Sequence, residues 1–375
     1  MGATYSVILC DIYGRYVAQL APRKMSLSQV ANGVGELKLE LPGWFDPHMV
    51  GPYQFVDVWR RPYGGPRQLW RYVTLAHPMA QGERGTTFYS LQASSLNVIL
   101  DFRTRDNPKT DETLPVDTLL TSWAARCLSY EDPYSGFTGT SLAWRDLTRW
   151  FGWSVVQSSG VGPTVLAKGG SGSLLQFAQD AVKLGAQAGE PWFFDIIPTG
   201  SDAAFGLRFS LYRGQRGVDL TGLDPQRVGG TTLTLSREAG DLSKLEYNVD
   251  YSGEVNFVWR LSDTPPAGLR DARARSGYLR YPLGRRETYG GPDADLDAFL
   301  REGLPQRVVR AEVMDTPQHR FGVHWGWGDK LLVRLEGARR GSRDVIVVPM
   351  RADSVTIDVD DAGRETVRAA LNLVV

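Results

Sequence analysis

Alternation of apolar and charged residues over 35–41 is the feature that most constrains how this chain folds. Three leucines alternate with three charged residues there: Leu37, Leu39 and Leu41 with Glu36, Lys38 and Glu40. A helix would spread the leucines around its circumference, whereas a strand places all of them on one face. The segment therefore predicts a strand with one buried face and one exposed face.

Further segments with strand character follow at hairpin spacing in the first hundred residues. They include 55–59, 69–77 and 86–93, and a Pro- and Gly-rich turn at 61–66 separates the first two. The chain also contains 41 Gly and 21 Pro, which is typical of a turn-rich, mostly β protein. Closely spaced strands of this kind predict a small barrel or a sandwich.

The region 102–190 changes to helical patterning. Apolar residues recur with helical spacing over 116–128, which predicts an amphipathic helix. A second helix is predicted over 142–151. A third begins at Ser173, where Gln176 completes a capping box, and ends at Gly185 or Gly189.

The rest of the chain returns to strands after this helical connector. Alternation over 245–251 and 255–261 around Ser252-Gly253 predicts a hairpin, and 262–292 is rich in Arg, Gly and Pro, as in an exposed excursion. A short helix is expected over 293–302. Five segments result: 1–101 (β), 102–190 (helical connector), 191–261 (β-rich), 262–305 (excursion and short helix) and 306–375 (β).

Two pairs of predicted strands are arranged in the same way, although their residues hardly match. One comprises 55–59 and 69–75, and the other comprises 331–335 and 344–348, each pair joined by an Arg/Gly turn. This repetition predicts two similar small β modules near the two ends of the sequence.

Charge and cysteine content narrow the functional classes. The chain has 42 basic and 42 acidic residues, so bulk charge does not favour binding to nucleic acid. Its 2 cysteines, Cys10 and Cys127, form no disulfide framework or zinc cluster, and we expect both to be buried apolar side chains. No signal-peptide pattern and no apolar stretch long enough for a membrane span is found, so we expect neither.

Motifs for catalysis are not recognisable. The segment 168–173 reverses the Gly-Lys-Ser order of a phosphate-binding loop, and His319 and His324 lack a third ligand at a metal-site spacing. We therefore expect no enzyme, no cofactor and no metal. A pair of carboxylates for glycoside hydrolysis is defined by its spatial separation, so a cell-wall hydrolase stays an alternative.

Arginines and tryptophans are the candidate interface residues. Six arginines on two predicted hairpin tips offer donors for a partner: Arg60, Arg61, Arg67, Arg339, Arg340 and Arg343. Trp325 and Trp327, separated by one glycine, would face the same side of a strand. With Tyr63 they could stack on a sugar, so a carbohydrate-binding adhesin is a second hypothesis, alongside a core or interface role for the two tryptophans.

Short segments spread along most of the chain resemble the tail hub proteins of actinophage-type phages. These are 27–37 with its Asn32-Gly33 turn, 250–259, 284–289 with Arg285-x-Glu287, Gly303-Leu304, and 326–333 with Gly328-Asp329-Lys330-Leu331. The resemblance implies two small β-barrels in a tail-hub arrangement, one in 1–101 and one in 306–375, with added α/β elements and a helical segment. The fold class expected is thus mainly β with α+β insertions.

The same resemblance implies a structural role in the virion. Three copies would form a ring at the tail tip or baseplate, with six similar modules facing a sixfold tail ring. The implied partners are the distal tail ring protein, the tape measure protein and tail fibre or tip proteins, after assembly in the host cytoplasm. Zero net charge suits a channel through which DNA passes without being retained.

Overall fold

A computed structural model gives the structure of the protein. It describes residues 3–83, 86–107, 111–128, 152–167, 170–199, 205–223, 232–250, 255, 257–261, 269–274, 287–289, 296, 300, 306–336 and 345–374. Strands dominate, and the helices are few and short, which confirms the expected mainly β fold with α+β insertions.

The first half of the chain contains most of the strands and the helices. In order these are β1 (Thr4–Cys10), β2 (Tyr16–Leu20), β3 (Lys24–Val30), β4 (Glu36–Pro42), a 3-10 turn (Pro47–Met49), β5 (Phe55–Arg61), β6 (Gln68–Thr74), β7 (Met79–Glu83), β8 (Thr86–Ser95), α1 (Val98–Asp101), β9 (Thr104–Asn107), β10 (Glu112–Pro115), α2 (Val116–Leu128), β11 (Gly152–Val155), β12 (Thr164–Ala167), β13 (Gly170–Ser173) and α3 (Leu174–Gln187).

The second half is formed by strands in the described residues, apart from helical positions 296 and 300. In order these are β14 (Trp192–Thr199), β15 (Gly206–Arg213), β16 (Thr234–Ser236), β17 (Leu242–Asp250), β18 (Phe257–Leu261), β19 (Leu269–Ala274), β20 (Glu287–Tyr289), β21 (Gln306–Met314), β22 (Lys330–Glu336), β23 (Val345–Val359) and β24 (Glu365–Leu373).

One large sheet connects the two ends of the sequence. Its strands follow the order β17-β21-β24-β23-β3-β4-β8-β6-β5-β1-β2, with β22 and β7 paired to β23 and β8, and β16 to β22. The antiparallel pairing of β3 with β23 places Leu27 opposite Ile357 and joins the first and last segments. The two hairpins of the repeated layout are both present, as β5–β6 and β22–β23. The five-segment division and closure into two barrels stay predictions.

The strand β4 forms where the leucine alternation predicts it. Leu37, Leu39 and Leu41 are buried, whereas Glu36 and Lys38 on the opposite face are exposed. Because side chains alternate along a strand, this single face fixes the register of β4 between β3 and β8.

The helices α2 and α3 form a second layer over the small sheet β11-β15-β14. The bounds of α2 match the prediction, and α3 begins after Ser173, whose hydroxyl accepts the N–H of Gln176 at 3.1 Å. Of the two predicted ends, Gly185 lies inside α3 and packs closely against Val116. The helix stops just before the other, Gly189, whose φ of +88° is in the left-handed region. The predicted helix 142–151 lies outside the described residues.

The predicted hairpin of 245–251 with 255–261 is wrong. Both strands form, but β17 pairs with β21, whereas β18 pairs antiparallel with β19 and parallel with β20. Alternation identifies a strand without naming its neighbour, so sequence proximity alone gave the wrong partner. Most of the excursion and of the helix 293–302 lies outside the described residues.

Contacts divide the chain into two compact units. The first comprises 1–244 with 311–374, and the second comprises 245–310 with residue 375. The first unit has a core in which both cysteines are free and buried, as expected. Burial raises the pKa of the Cys10 thiol to about 11. The second unit contains the β19-β18-β20 sheet, in which Val258 is buried.

Within the described ranges, no helix has the length and hydropathy to cross a membrane.

Candidate functional site

Arg60 occupies a buried position, contrary to its prediction as an exposed hairpin-tip residue. Its side chain is 1% exposed, at the end of β5. The guanidinium donates to both carboxylate oxygens of Glu365, at 2.8 Å from Nε and 2.6 Å from Nη2. Nη1 donates to Gln68 Oε1 at 3.0 Å and to the carbonyl oxygen of Phe321 at 3.1 Å. Arg60 is therefore a structural cross-link and is unavailable to a partner.

The surroundings of Arg60 stabilise its charge. Burial acts to lower the pKa of Arg60, but the hydrogen bonds and charge of Glu365 outweigh it and raise the pKa above its ordinary value. The Tyr5 hydroxyl donates to the same carboxylate, and burial together with the charge of Glu365 raises the pKa of Tyr5. The ion pair thus joins β1 and β5 to the beginning of β24.

Trp325 belongs to the aromatic core beside this ion pair. It is 2% exposed, its ring lies 5.0 Å from that of Phe321, and its Nε1 donates to the carbonyl oxygen of His319 at 2.9 Å. Phe321 in turn stacks on Trp70 at 6.3 Å and lies under the Arg60 guanidinium at 5.2 Å. The predicted exposed platform for stacking on a sugar is therefore wrong for Trp325.

Trp327 lies in a different environment from Trp325, within a turn and not a strand. The guanidinium of Arg216 covers its ring at 3.7 Å and donates to Asp195 Oδ2 at 2.7 Å. The turn is fixed by Asp329, whose carboxylate accepts the N–H of Val218 and of Gly326, each at 2.6 Å. Burial raises the pKa of Asp329, although these hydrogen bonds oppose that rise.

Around the tip of the β5–β6 hairpin, Arg61, Tyr63, Arg67 and Val323 are exposed, whereas Arg320 is half-buried. Arg61 and Arg67 flank the turn between β5 and β6, and Tyr63 at its tip is 57% exposed. The loop 315–329 meets this turn, since Arg320 Nη1 donates to the carbonyl oxygen of Tyr63 at 3.3 Å. Val323, 36% exposed, lies beside Gly65 in the turn.

The structure thus brings together part of the predicted interface. Arg61 and Arg67 lie on one surface, while Arg60 and Trp325 lie beneath it. Arg339, Arg340 and Arg343 lie outside the described residues. Sequence reasoning missed Arg320 and Val323, because only tertiary packing brings the loop 315–329 to a hairpin some 250 residues earlier.

The groups at this hairpin tip can bind carboxylates and apolar side chains. Guanidinium groups donate paired hydrogen bonds to carboxylates, and an exposed tyrosine supplies apolar contact area. The described part of the chain contains no group of three or more side chains that could hold a metal ion.

Comparison with known proteins finds similar folds among solved structures but no match in sequence. No family model matches the chain, and no curated protein sequence matches it. Among solved structures, a tail protein from Neisseria meningitidis MC58 is similar, with a TM-score of 0.53 and 12% identity over 98% of this chain and 96% of that chain.

Two prophage proteins are similar over equally long stretches. The 43 kDa tail protein of prophage MuSo2 from Shewanella oneidensis gives a TM-score of 0.50 at 11% identity and covers 98% of each chain. Prophage tail protein gp18 from Listeria monocytogenes EGD-e gives 0.50 at 8% identity, over 98% of this chain and 95% of that chain. The fold of this chain is that of tail proteins of this kind.

Proposed function

We propose that this chain is a structural hub protein of a bacteriophage tail tip or baseplate. The observation that carries the proposal is the extent of the structural likeness: 98% of the chain aligns with nearly the whole of tail proteins from three bacteria. A likeness across the full length supports a shared architectural role better than a likeness of one module would, although fold alone does not fix function.

In this proposal three copies form a ring that joins the tail tube to the distal components of the tail. A ring needs two different patches on each copy, because each subunit contacts its neighbours through unlike surfaces. The two β modules would provide these patches, and their barrels would line the channel for the tape measure protein and DNA. The zero net charge of the chain supports passage of DNA without retention.

The proposed location is the virion, after assembly in the host cytoplasm. The proposed partners are the distal tail ring protein, the tape measure protein and the fibre or tip proteins. Recognition of a nucleic-acid sequence is not part of this role, and neither is catalysis. Incubation with cell walls should therefore release no sugar or peptide fragments. If fragments are released, and substitution of a single Asp or Glu abolishes their release, the protein is an enzyme and the proposed absence of catalysis is refuted.

Mass measurement across a concentration series tests the ring. Light scattering on the eluting full-length protein should give three times the chain mass of 41.5 kDa, at least at the upper concentrations. A monomer throughout the series, together with absence of the chain from purified tails, would contradict the hub.

A further inference from the structure

The strand β2 forms one edge of the large sheet and has an unpaired side. It pairs with β1, and on its other side its backbone bonds to none of the residues that the structure describes. Alternate residues of an edge strand direct their N–H and carbonyl groups away from the sheet. β2 therefore offers a row of hydrogen-bonding groups whose spacing matches that of another extended backbone.

The outer edge of β14 shows how side chains of this protein can cover such an edge. Asn32 bonds to the carbonyl oxygen of Trp192 and to the N–H of Phe194. Asn97 accepts the N–H of Ile196 at 2.8 Å. These amides occupy positions that a neighbouring strand would take. Within the described ranges, no side chain does the same for β2.

Exposed apolar side chains accompany the unpaired edge of β2. Tyr16 is 68% exposed, Ile12 44% and Val17 37%. The strand contains no charged residue and no proline, which are residue types that keep natural edge strands from pairing. The irregularity in its pairing with β1 lies before Ala18, so Ala18–Leu20 keep a regular register.

The turn that leads into β2 is held by local contacts. The Asp11 carboxylate accepts the N–H of Tyr13 and of Arg15, each at 2.8 Å. Gly14 has φ +78°, and a Cβ at this position would overlap the ring of Phe205, so the turn packs directly on that ring. An edge fixed in this way needs little reordering when a strand is added to it, which favours binding.

We propose that β2 binds an extended segment of a neighbouring tail protein, which adds to the large sheet as a further strand. The unpaired backbone requires a strand, and Tyr16 and Val17 favour a β-branched or aromatic residue opposite them. The guanidinium of Arg15 forms no ion pair in the described part of the chain, so a carboxylate at the end of the segment would add a contact.

The choice of a different protein over a second copy follows from symmetry. Two copies joined β2 to β2 would form a twofold pair, whereas each copy in the proposed ring contacts its neighbours through unlike surfaces. That the partner is a tail protein rests on the proposed function.

Two synthetic peptides test strand addition with the full-length protein. One is a fluorescent peptide of alternating Thr and Val with Glu at both ends, and the other has the same sequence with every backbone nitrogen methylated. We expect the wild type to bind the first and to bind the methylated peptide at least about tenfold more weakly, because methylation removes the backbone donors. Y16K/V17K should show a similar loss. Y63K/V218K is the matched control, since these two side chains are also exposed.

Hydrogen exchange locates the contact. The bound peptide should slow exchange of the amides of 17–20, and the same amides should exchange at least about tenfold more slowly in purified tails than in the isolated protein. Equal exchange in tails and in the isolated protein overturns the proposal. Slow exchange in an isolated oligomer overturns it as well, because the edge is then occupied by a second copy.

The peptide results have the same force. No binding by the wild type, or equal binding by Y16K/V17K or of the methylated peptide, overturns the proposal. Mass measurement separates this outcome from failure of the hub: a threefold ring whose peptide binding ignores β2 rejects only strand addition. A monomer whose peptide binding requires β2 rejects only the ring.

Discussion

Arg60 and Arg61 are adjacent in the sequence, but the side chain of Arg60 is buried and that of Arg61 is exposed. Successive residues of a strand face opposite sides, so Arg60 shares the side of buried Val56 and Val58, while Arg61 faces solvent. Alternation alone could not identify Arg60 as buried, because Phe55 and Asp57 on the side of Arg61 are buried too. Nor could it supply Glu365, the partner that makes burial of the charge possible, because that residue lies about 300 positions away in sequence.

Substitution of Arg60 by Met should lower the free energy of unfolding by about 3–5 kcal/mol, because Glu365 would remain buried without its counter-charge. Urea denaturation measures this loss. R60M/E365L should recover most of it, since the uncompensated charge is then absent, and R61M serves as the exposed control. A loss in R60M no larger than that in R61M would contradict the assigned role.

The carboxylate of Asp117 should contribute to the free energy of unfolding in a pH-dependent way. Burial acts to raise its pKa, but hydrogen bonds from the N–H groups of Val161, Ser159 and Thr118 outweigh it and lower the pKa below its ordinary value of 3.8. The contribution is therefore present above that value and is lost as the pH falls through the lower, folded-state pKa.

D117N should lower the free energy of unfolding by about 1–3 kcal/mol at neutral pH, since an amide cannot accept all of these hydrogen bonds. The difference from the wild type should shrink in acid. Denaturation curves at both pH values measure it, with exposed Asp361→Asn as the control. A difference that stays constant with pH would refute the role given to the charge.

At the scale of elements, the β3–β4 hairpin is attached to the β11-β15-β14 sheet through Asn32. This residue has φ +54°, in the left-handed region, and its side chain donates to the carbonyl oxygen of Trp192 at 3.0 Å. The same amide accepts the N–H of Phe194 at 2.8 Å, so one side chain pairs with β14 as a neighbouring strand would. The Asn-Gly turn visible in the sequence thus also serves tertiary attachment.

N32G keeps the left-handed backbone but removes both hydrogen bonds. We expect a loss of about 1–3 kcal/mol in the free energy of unfolding, with faster hydrogen exchange at Phe194. N32D retains the acceptor and should protect Phe194 better than N32G does. Identical exchange at Phe194 in all three proteins would show that the side chain does not hold β14.

Elements with a strong internal pattern could be predicted from the sequence, but their partners could not. The leucines of β4 and the capping serine of α3 act locally, so the sequence near them suffices. The partner of β17 is β21, about 60 residues away, and no local signal distinguishes it from β18. The contact of Arg320 with the β5–β6 turn has the same limit, because the two lie some 250 residues apart in sequence.

At the scale of the whole molecule, the large sheet makes the first and last segments of the chain parts of one structure. The β3–β23 pairing and the Arg60–Glu365 ion pair both link residues more than 300 positions apart. Each of these contacts closes a long loop, so we expect folding to be slow for a chain of this size. Stopped-flow refolding should show R60M refolding more slowly than R61M if the ion pair forms before the main barrier.

Electron microscopy of purified tails tests the hub proposal most directly. With this chain carrying a gold-labelled tag, the account predicts label confined to the tail tip or baseplate and a closed ring with threefold symmetry in averaged end-on views. Label along the tail shaft, no label in intact tails, or a ring without threefold symmetry would contradict it.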